Sequence, residues 1–474
     1  MSISSAFNSA LSGLTANSRL TDVISGNLAN ALTPGYAPRE LGLEARGVGG
    51  GVSATGVTRQ IDPVLLGDRR LADSGLADAQ TRAGFAASLE RAIGTPGEGN
   101  SLGDRLTALE TAISGASARP EDDVRLGQVV REAQALGSAL NTASRQIETL
   151  RTSADAEIAT TVETLNTGLE QVAGINARIV SARAGGHETA SLEDRRQAVI
   201  DDLSKIVPLR QLDRAGGAVA LVSTGGALLL DGRAAELDFT KTPMVAAHMT
   251  LGNGLLSGLE LDGRPASASP DGPLGGGRLS ALFRNRDEVG LEAQRGLDAV
   301  AAELIERVEG LTPAPAPGLF TDAGARFAAA DQAGIAGRIA LNPAVDPESG
   351  GALSRLRTGP ETAPGSGAVA SAPYLEGLST ALEQPRSGAP GDPARTLPER
   401  VAALSGRIAQ ERLSADSAVS FSAGQANELR ELELRGGVDS DAELQRLLLV
   451  EQAFSANARM VQTLDDMMQT LLRI

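Results

Sequence analysis

The chain has 474 residues, 42% of them hydrophobic, enough for two to four domains with their own cores and too apolar for a disordered polymer. A net charge of −16 excludes the Lys/Arg-rich surface that a nucleic-acid partner requires and disfavours anionic membranes. The absence of cysteine excludes disulfides, thiolate metal centres and thiol nucleophiles, and an aromatic content of 2% favours helical rods over aromatic-walled pockets.

The first element is expected over residues 3–30, where Ile3, Phe7, Ala10, Leu14, Leu20, Ile24 and Leu28 recur mostly at three- and four-residue steps, as on an amphipathic helix. Asn27 and Asn30 close it, and Thr33-Pro34-Gly35-Tyr36 supplies a stop and a turn. No basic segment precedes this helix, since the first cation is Arg19, so an ordinary secretory leader is not expected. The Gly-rich, partly alternating stretch 47–65 reads as loop and short strand. Helical periodicity resumes over about 64–93 and again over 101–115.

Glu121, Asp122 and Asp123 then open a proline-free run to Ala184, with first-turn carboxylates that suit the helix dipole. Its stripe of Leu136, Leu140, Ala143, Ile147, Leu150 and Ala154 continues through Ile158, Val162, Leu165, Leu169, Val172, Asn176 and Ile179. The join is a pair of four-residue steps, a stutter. One continuous helix here would be on the order of 90 Å long. A shorter helix is expected at 191–206. Short apolar runs broken by GG and DG turns over 207–239 then read as hairpins.

Helix returns at 278–309. Residues 310–398, rich in Pro, Gly and Ala, read as irregular structure or linker. Two helices end the chain, one over 398–435 and one for which Ser440 and Glu443 form a capping-box pair. In the last helix Leu447, Phe454, Val461 and Met468 recur every seven residues, and Val450, Asn457, Leu464 and Leu471 fill the partner positions of a coiled-coil seam.

The expected fold is therefore mainly α with a β-rich insertion. The N- and C-terminal helices pair as a coiled coil, beside a long helical-bundle rod domain and one or more small β-rich domains. The expected divisions are 1–63 and 436–474 for the two halves of a terminal assembly domain. Residues 64–206 and 278–435 form the rod domain, the latter including 310–398, and 207–277 form the β-rich insert.

Catalytic chemistry has no visible constellation. His187 and His248 lack a neighbouring triad or metal-ligand pattern, and the glycines at 47–51 lack the Lys-Ser/Thr of a phosphate loop. The acidic clusters at 121–123 and 439–441 are explained as helix starts, and LEDRRQAVIDDL (192–203) reads as ordinary surface charge. No run of 18 apolar residues is present to span a membrane. A non-enzyme without metal or cofactor is the expectation.

Three stretches resemble the flagellar axial proteins of bacteria: Asn27-Leu28-Ala29-Asn30 leading into Thr33-Pro34-Gly35-Tyr36, GVSATGVTRQIDPVL (51–65), and residues 438–472. LGGGRLSALFRNRDEV (274–289) and Gly318-Leu319-Phe320-Thr321-Asp322 are similar to the interior of the hook–filament junction members of that family. Leu32 departs from the family pattern, which carries Asn there. The resemblance implies a structural adaptor of the extracellular flagellum, exported through the flagellar type III apparatus. It would form a ring of its own copies between the hook protein and the second junction protein, after a cytoplasmic chaperone has held its C-terminal helix. Another axial protein, of hook or distal rod, and a non-flagellar coiled-coil surface protein are the rival readings. The residues expected at the assembly interface are Ile3, Phe7, Leu14, Ile24, Asn27, Leu28, Asn30, Pro34, Gly35, Tyr36, Leu447, Phe454, Asn457, Val461, Leu464, Met468 and Leu471. In a chain with two tyrosines, Tyr36 is expected to anchor the exit of the first helix against a neighbouring copy.

Overall fold

A computed structural model describes residues 3–33, 35–47, 50–95, 97–387 and 393–473, with Ile3 by its backbone alone. Pro34 and the side chain of Ile3, both named above, lie outside this description. In chain order the structure has α1 (Ile3–Ala29), the hairpin β1 (Arg39–Ala45) and β2 (Val52–Arg59), α2 (Pro63–Ile93), α3 (Leu102–Ser117), α4 (Asp123–Ala184) and α5 (Ala190–Ile206). Four antiparallel strands follow: β3 (Leu209–Asp213), β4 (Val219–Ser223), β5 (Leu228–Asp231) and β6 (Arg233–Ala234). A separate three-stranded sheet comprises β7 (Leu237–Asp238), β8 (Leu259–Leu261) and β9 (Arg264–Ala266). Then come α6 (Gly277–Arg284), α7 (Gly290–Glu309), the pair β10 (Phe320–Asp322) and β11 (Ile339–Leu341), α8 (Arg355–Thr358), α9 (Pro373–Glu383), α10 (Leu397–Arg435) and α11 (Ser440–Arg473). The fold is mainly α with small antiparallel sheets, and the two terminal helices pack on each other. Among the described residues no helix is long and apolar enough to cross a membrane.

The elements group into two compact units. One comprises residues 1–76, 164–236 and 422–474; the other comprises 77–163 and 237–421. In the first unit, Asn176 is the polar member of the α4 stripe, and it is buried for a reason. Its Nδ2 donates to the carbonyl of Val219 at 2.8 Å and its Oδ1 accepts the Val219 N–H at 3.2 Å, so one side chain holds both backbone groups at the start of β4. Arg196 completes the site, donating to Asn176 Oδ1 and to the Gly217 carbonyl. The helix expected to carry ordinary surface charge is thus built otherwise: Arg196 and Gln197 are buried, and Asp194 and Asp201 each face two arginines.

In the second unit a continuous apolar core runs through α3, the first part of α4, α7, α9 and the start of α10. The described residues of 310–398 are no free linker. Leu319, Phe320, Ile335, Val345, Leu356, Leu375 and Leu378 are fully buried in this core, each contributing about 1.5–3 kcal/mol of apolar burial. Leu375 and Leu378 enter from α9, whereas the other five come from short strands and single turns whose side chains enter the core one at a time, which is why they show little periodicity.

The stutter of α4 coincides with two buried charges. Arg151 and Asp155 are both fully shielded and turn the helix into a template for an otherwise irregular segment. The N–H groups of Thr242, Val245 and Ala247 donate to Asp155 Oδ2, Thr152 Oγ1 and Glu148 Oε1, and Arg151 donates to the carbonyls of Ala246 and Met249. Successive turns of the helix thereby satisfy backbone groups that the segment cannot pair by itself.

The LFRNRDEV stretch forms the opposite wall. Between α6 and α7 the helix widens by one π turn over Asn285–Val289, with the Gly290 N–H bonded to the Asn285 carbonyl. Arg286, fully buried, meets Asp155 at 2.6 Å and Asp287 at 2.8 Å, and it donates to the Ser257 carbonyl. Its guanidinium lies 5.5 and 5.1 Å from the ring centres of Phe239 and Phe283. Glycine follows the π turn because nothing larger fits: a Cβ on Gly290 would lie 2.8 Å from the Asn285 carbonyl oxygen and 2.7 Å from Arg151 Cγ. Gly290→Ala is expected to cost about 1–3 kcal/mol in denaturant unfolding of the full chain. An unchanged midpoint would show that the turn relaxes freely.

Candidate functional site

The candidate site is built where the first helix, the turn after it and the last helix meet. α1 ends in tightened turns, with the Asn30 N–H bonded to the Gly26 carbonyl, the Ala31 N–H to the Leu28 carbonyl and Gly35 in the left-handed region at φ 77°. The turn brings Tyr36 and Arg39 back against Asn27. That asparagine is 1% exposed, and both of its amide groups are used twice. Oδ1 accepts from the Tyr36 hydroxyl and the Arg39 N–H, both at 2.9 Å; Nδ2 donates to the Arg39 carbonyl at 2.9 Å and to Glu443 Oε1 at 3.3 Å. The inventory of an amide side chain is thereby filled, and its orientation is determined by the partners.

Tyr36 is half-buried, its hydroxyl donating to Asn27 and its ring 4.9 Å from the Arg39 guanidinium. Burial raises the phenol pKa above its ordinary value, Arg39 pulls it down, and Asp194 and Glu443 raise it further. The net rise keeps the hydroxyl a donor.

Glu443 reaches Asn27 because it is free of the capping role expected for it. Asp439 Oδ1 accepts the N–H groups of Asp441 and Ala442, both at 3.0 Å, so Asp439 caps α11 and no Ser440–Glu443 box forms. Farther along, an ideal Cβ on Gly13 would stand 3.1 Å from Asn457 Cγ. Asn27 and Gly13 are separated by as many residues as Glu443 and Asn457, so the two contacts define an antiparallel register. The polar interruption of the α11 seam therefore sits over a glycine, where α1 offers least bulk.

Of the residues expected at the interface, Ile24, Asn27 and Leu464 are buried, whereas Leu14, Asn30, Tyr36, Leu447, Asn457 and Val461 are half-buried. Phe7, Leu28, Gly35, Phe454, Met468 and Leu471 are exposed. Residues the sequence reading did not single out complete the site. Asp194 of α5 meets Arg39 at 2.9 Å and Arg59 at 2.7 Å, and Ser12 Oγ accepts the Val52 N–H, holding the hairpin on α1. Gly51 is required there, since a Cβ would fall 2.3 Å from Ser12 Oγ and the residue has φ 94°. Arg39 follows shortly after Tyr36 and Arg59 lies within the stretch 51–65, but nothing local in the sequence marks Asp194 as their partner or Glu443 as the partner of Asn27. Among the described residues no group of three or more His, Asp or Glu side chains could hold a metal ion.

The family model described as "Flagellar hook-associated protein FlgK helical domain" matches residues 86–312. Models of the flagellar basal body rod protein and of the rod FlgEFG protein C-terminal region match 7–36 and 436–474, the two sides of the helix pair just described. Together these matches support a FlgK-type flagellar hook-associated protein. Flagellar hook-associated protein 1 of Salmonella typhimurium is 25% identical over 324 residues, covering 64% of this chain and 56% of its own length. The Bacillus subtilis protein of the same name is 24% identical over 46% of each chain. The hook junction protein FlgK from Burkholderia pseudomallei superposes with a TM-score of 0.45 at 21% identity, over 54% of this chain and 46% of that one. The chain thus spans about half the length of the hook-associated relatives it matches. Asn27 and Tyr36 fall in the N-terminal flagellar match, Glu443 and Asn457 in the C-terminal one, and Asp194 in the hook-associated helical domain.

Proposed function

We propose that this flagellar hook-associated chain is a structural subunit of the junction between hook and filament. The observation that carries the reading is the surface left by the terminal helix pair. With α1 and α11 already packed on each other, Leu11, Leu448, Leu449, Phe454, Met468 and Leu472 remain 43–82% exposed. Isolated exposed apolar residues are ordinary on a protein surface, but this many on one helix pair form a surface that another helix would cover. Neighbouring copies of the same pair supply that cover, as a ring of subunits. The hook protein on one side and the second junction protein on the other are its axial partners. A cytoplasmic chaperone on α11 shields the same residues before passage through the flagellar type III apparatus to the cell exterior. No bond-breaking chemistry belongs to this role, so the chain is read as a non-enzyme without cofactor.

A strain deleted for this chain is expected to build hooks and to release unpolymerised filament protein into the medium, with filaments restored by the gene in trans. Normal filaments on the deletion strain refute the junction reading.

A further inference from the structure

Arg39 and Arg59 are directly opposite each other in the β1–β2 register, at the open end of the hairpin. Like charges in that position repel and open a two-stranded ribbon, which is marginal even without them. The structure resolves the conflict with one side chain from another element. Asp194 of α5 gives one oxygen to each arginine, Oδ2 to Arg39 and Oδ1 to Arg59, and all three side chains are largely shielded from water. The first residue of the hairpin thus fastened is also the one whose N–H and C=O are both held by Asn27, and Asn27 spends its remaining N–H on Glu443 of α11. From α5 to the last helix the contacts form one chain in which every step fixes the geometry of the next.

We propose that Asp194 is a positioning residue for the terminal helix pair, neutralising Arg39 and Arg59 so that the hairpin presents Arg39 to Asn27 and, through Asn27, sets α11 on α1. This deepens the assembly reading by naming what sets its helix pair. It is tested on the isolated chain, so it fails or stands whether or not the chain joins a junction.

The chain contains no cysteine, so a pair introduced by Gly13→Cys and Asn457→Cys reports on the antiparallel register alone. The rate of intramolecular disulfide formation under a fixed oxidant then measures how often the pair is formed. Asp194→Asn is expected to slow it about five- to tenfold, the low end of the usual coupling between sites that do not touch. Reciprocally, closing the disulfide is expected to slow hydrogen exchange of the hairpin amides over 39–59. Arg59→Gln in the Asp194→Asn background is expected to recover part of the lost rate, because it removes the repulsion that Asp194 neutralised. A residue that merely filled space would show no such recovery. Cross-linking of Asp194→Asn at the parent rate, or a loss that Arg59→Gln leaves untouched, overturns the proposal. So does hairpin exchange indifferent to the disulfide.

Discussion

Arg286→Ala is expected to lower the stability of the 77–163 and 237–421 unit by about 3–5 kcal/mol, the cost of breaking a buried ion pair from one side. The guanidinium is wholly shielded, and its loss leaves Asp155 charged, buried and holding only the Thr242 N–H. It also strips the guanidinium from the rings of Phe239 and Phe283 and removes the donor to the Ser257 carbonyl. Urea unfolding followed by the helical signal in circular dichroism measures the effect. Arg286→Met combined with Asp155→Leu should be much milder than Arg286→Ala, because no buried charge is then left alone. A midpoint for Arg286→Ala within experimental error of the parent would mean that water reaches the site, contrary to the burial of both partners.

Asn27→Ala is the second large effect, and it is local. The substitution orphans the N–H and C=O of Arg39, frees the Tyr36 hydroxyl and leaves Glu443 Oε1 without Asn27. A few unpaired groups at about 1 kcal/mol or more each place the loss on the order of 3 kcal/mol for the helix-pair region. All of these groups belong to the unit of residues 1–76, 164–236 and 422–474, so the loss is expected in the unfolding of that unit. In cells the variant should fail to restore filaments while accumulating to parental levels. Asn27→Asp should be no better, since the carboxylate cannot donate to the Arg39 carbonyl and meets Glu443 as a like charge. Full restoration of filaments by Asn27→Ala would show that the hub is dispensable to assembly.

What was legible in the sequence follows from the range of the physics behind each feature. Helices are announced locally. Apolar steps of three and four, Asp122 and Asp439 before the starts and glycines after the ends place α1, α4, the helical run from α6 to α7, α10 and α11 within a residue or two of where they lie, although the π turn that divides the run was not expected. Residues 310–398 were illegible as core because Phe320, Val345 and Leu356 enter it singly, from turns that carry no period. In the site, Asn27 and Tyr36 could be picked out as unusual, whereas Glu443 and Asp194 could not. Their roles depend on neighbours that the fold supplies from far along the chain, and on their own helices a capping acid and a surface acid are the ordinary interpretations. The same blindness hid Arg151 and Asp155, which interrupt no apolar step of α4 and yet point inward.

The bond between Asn27 and Glu443 joins residues 416 apart. Closing a flexible loop of that length costs about 5 kcal/mol in chain entropy, more than the bond itself returns. The first helix therefore gains its partner only after the intervening chain has condensed and brought both ends near each other. That order makes the pairing of the two chain ends a late event with high contact order, slow by comparison with the local helices it joins. A polypeptide delivered from its N-terminus onward holds α1 without its native mate until the 34 residues of α11 arrive.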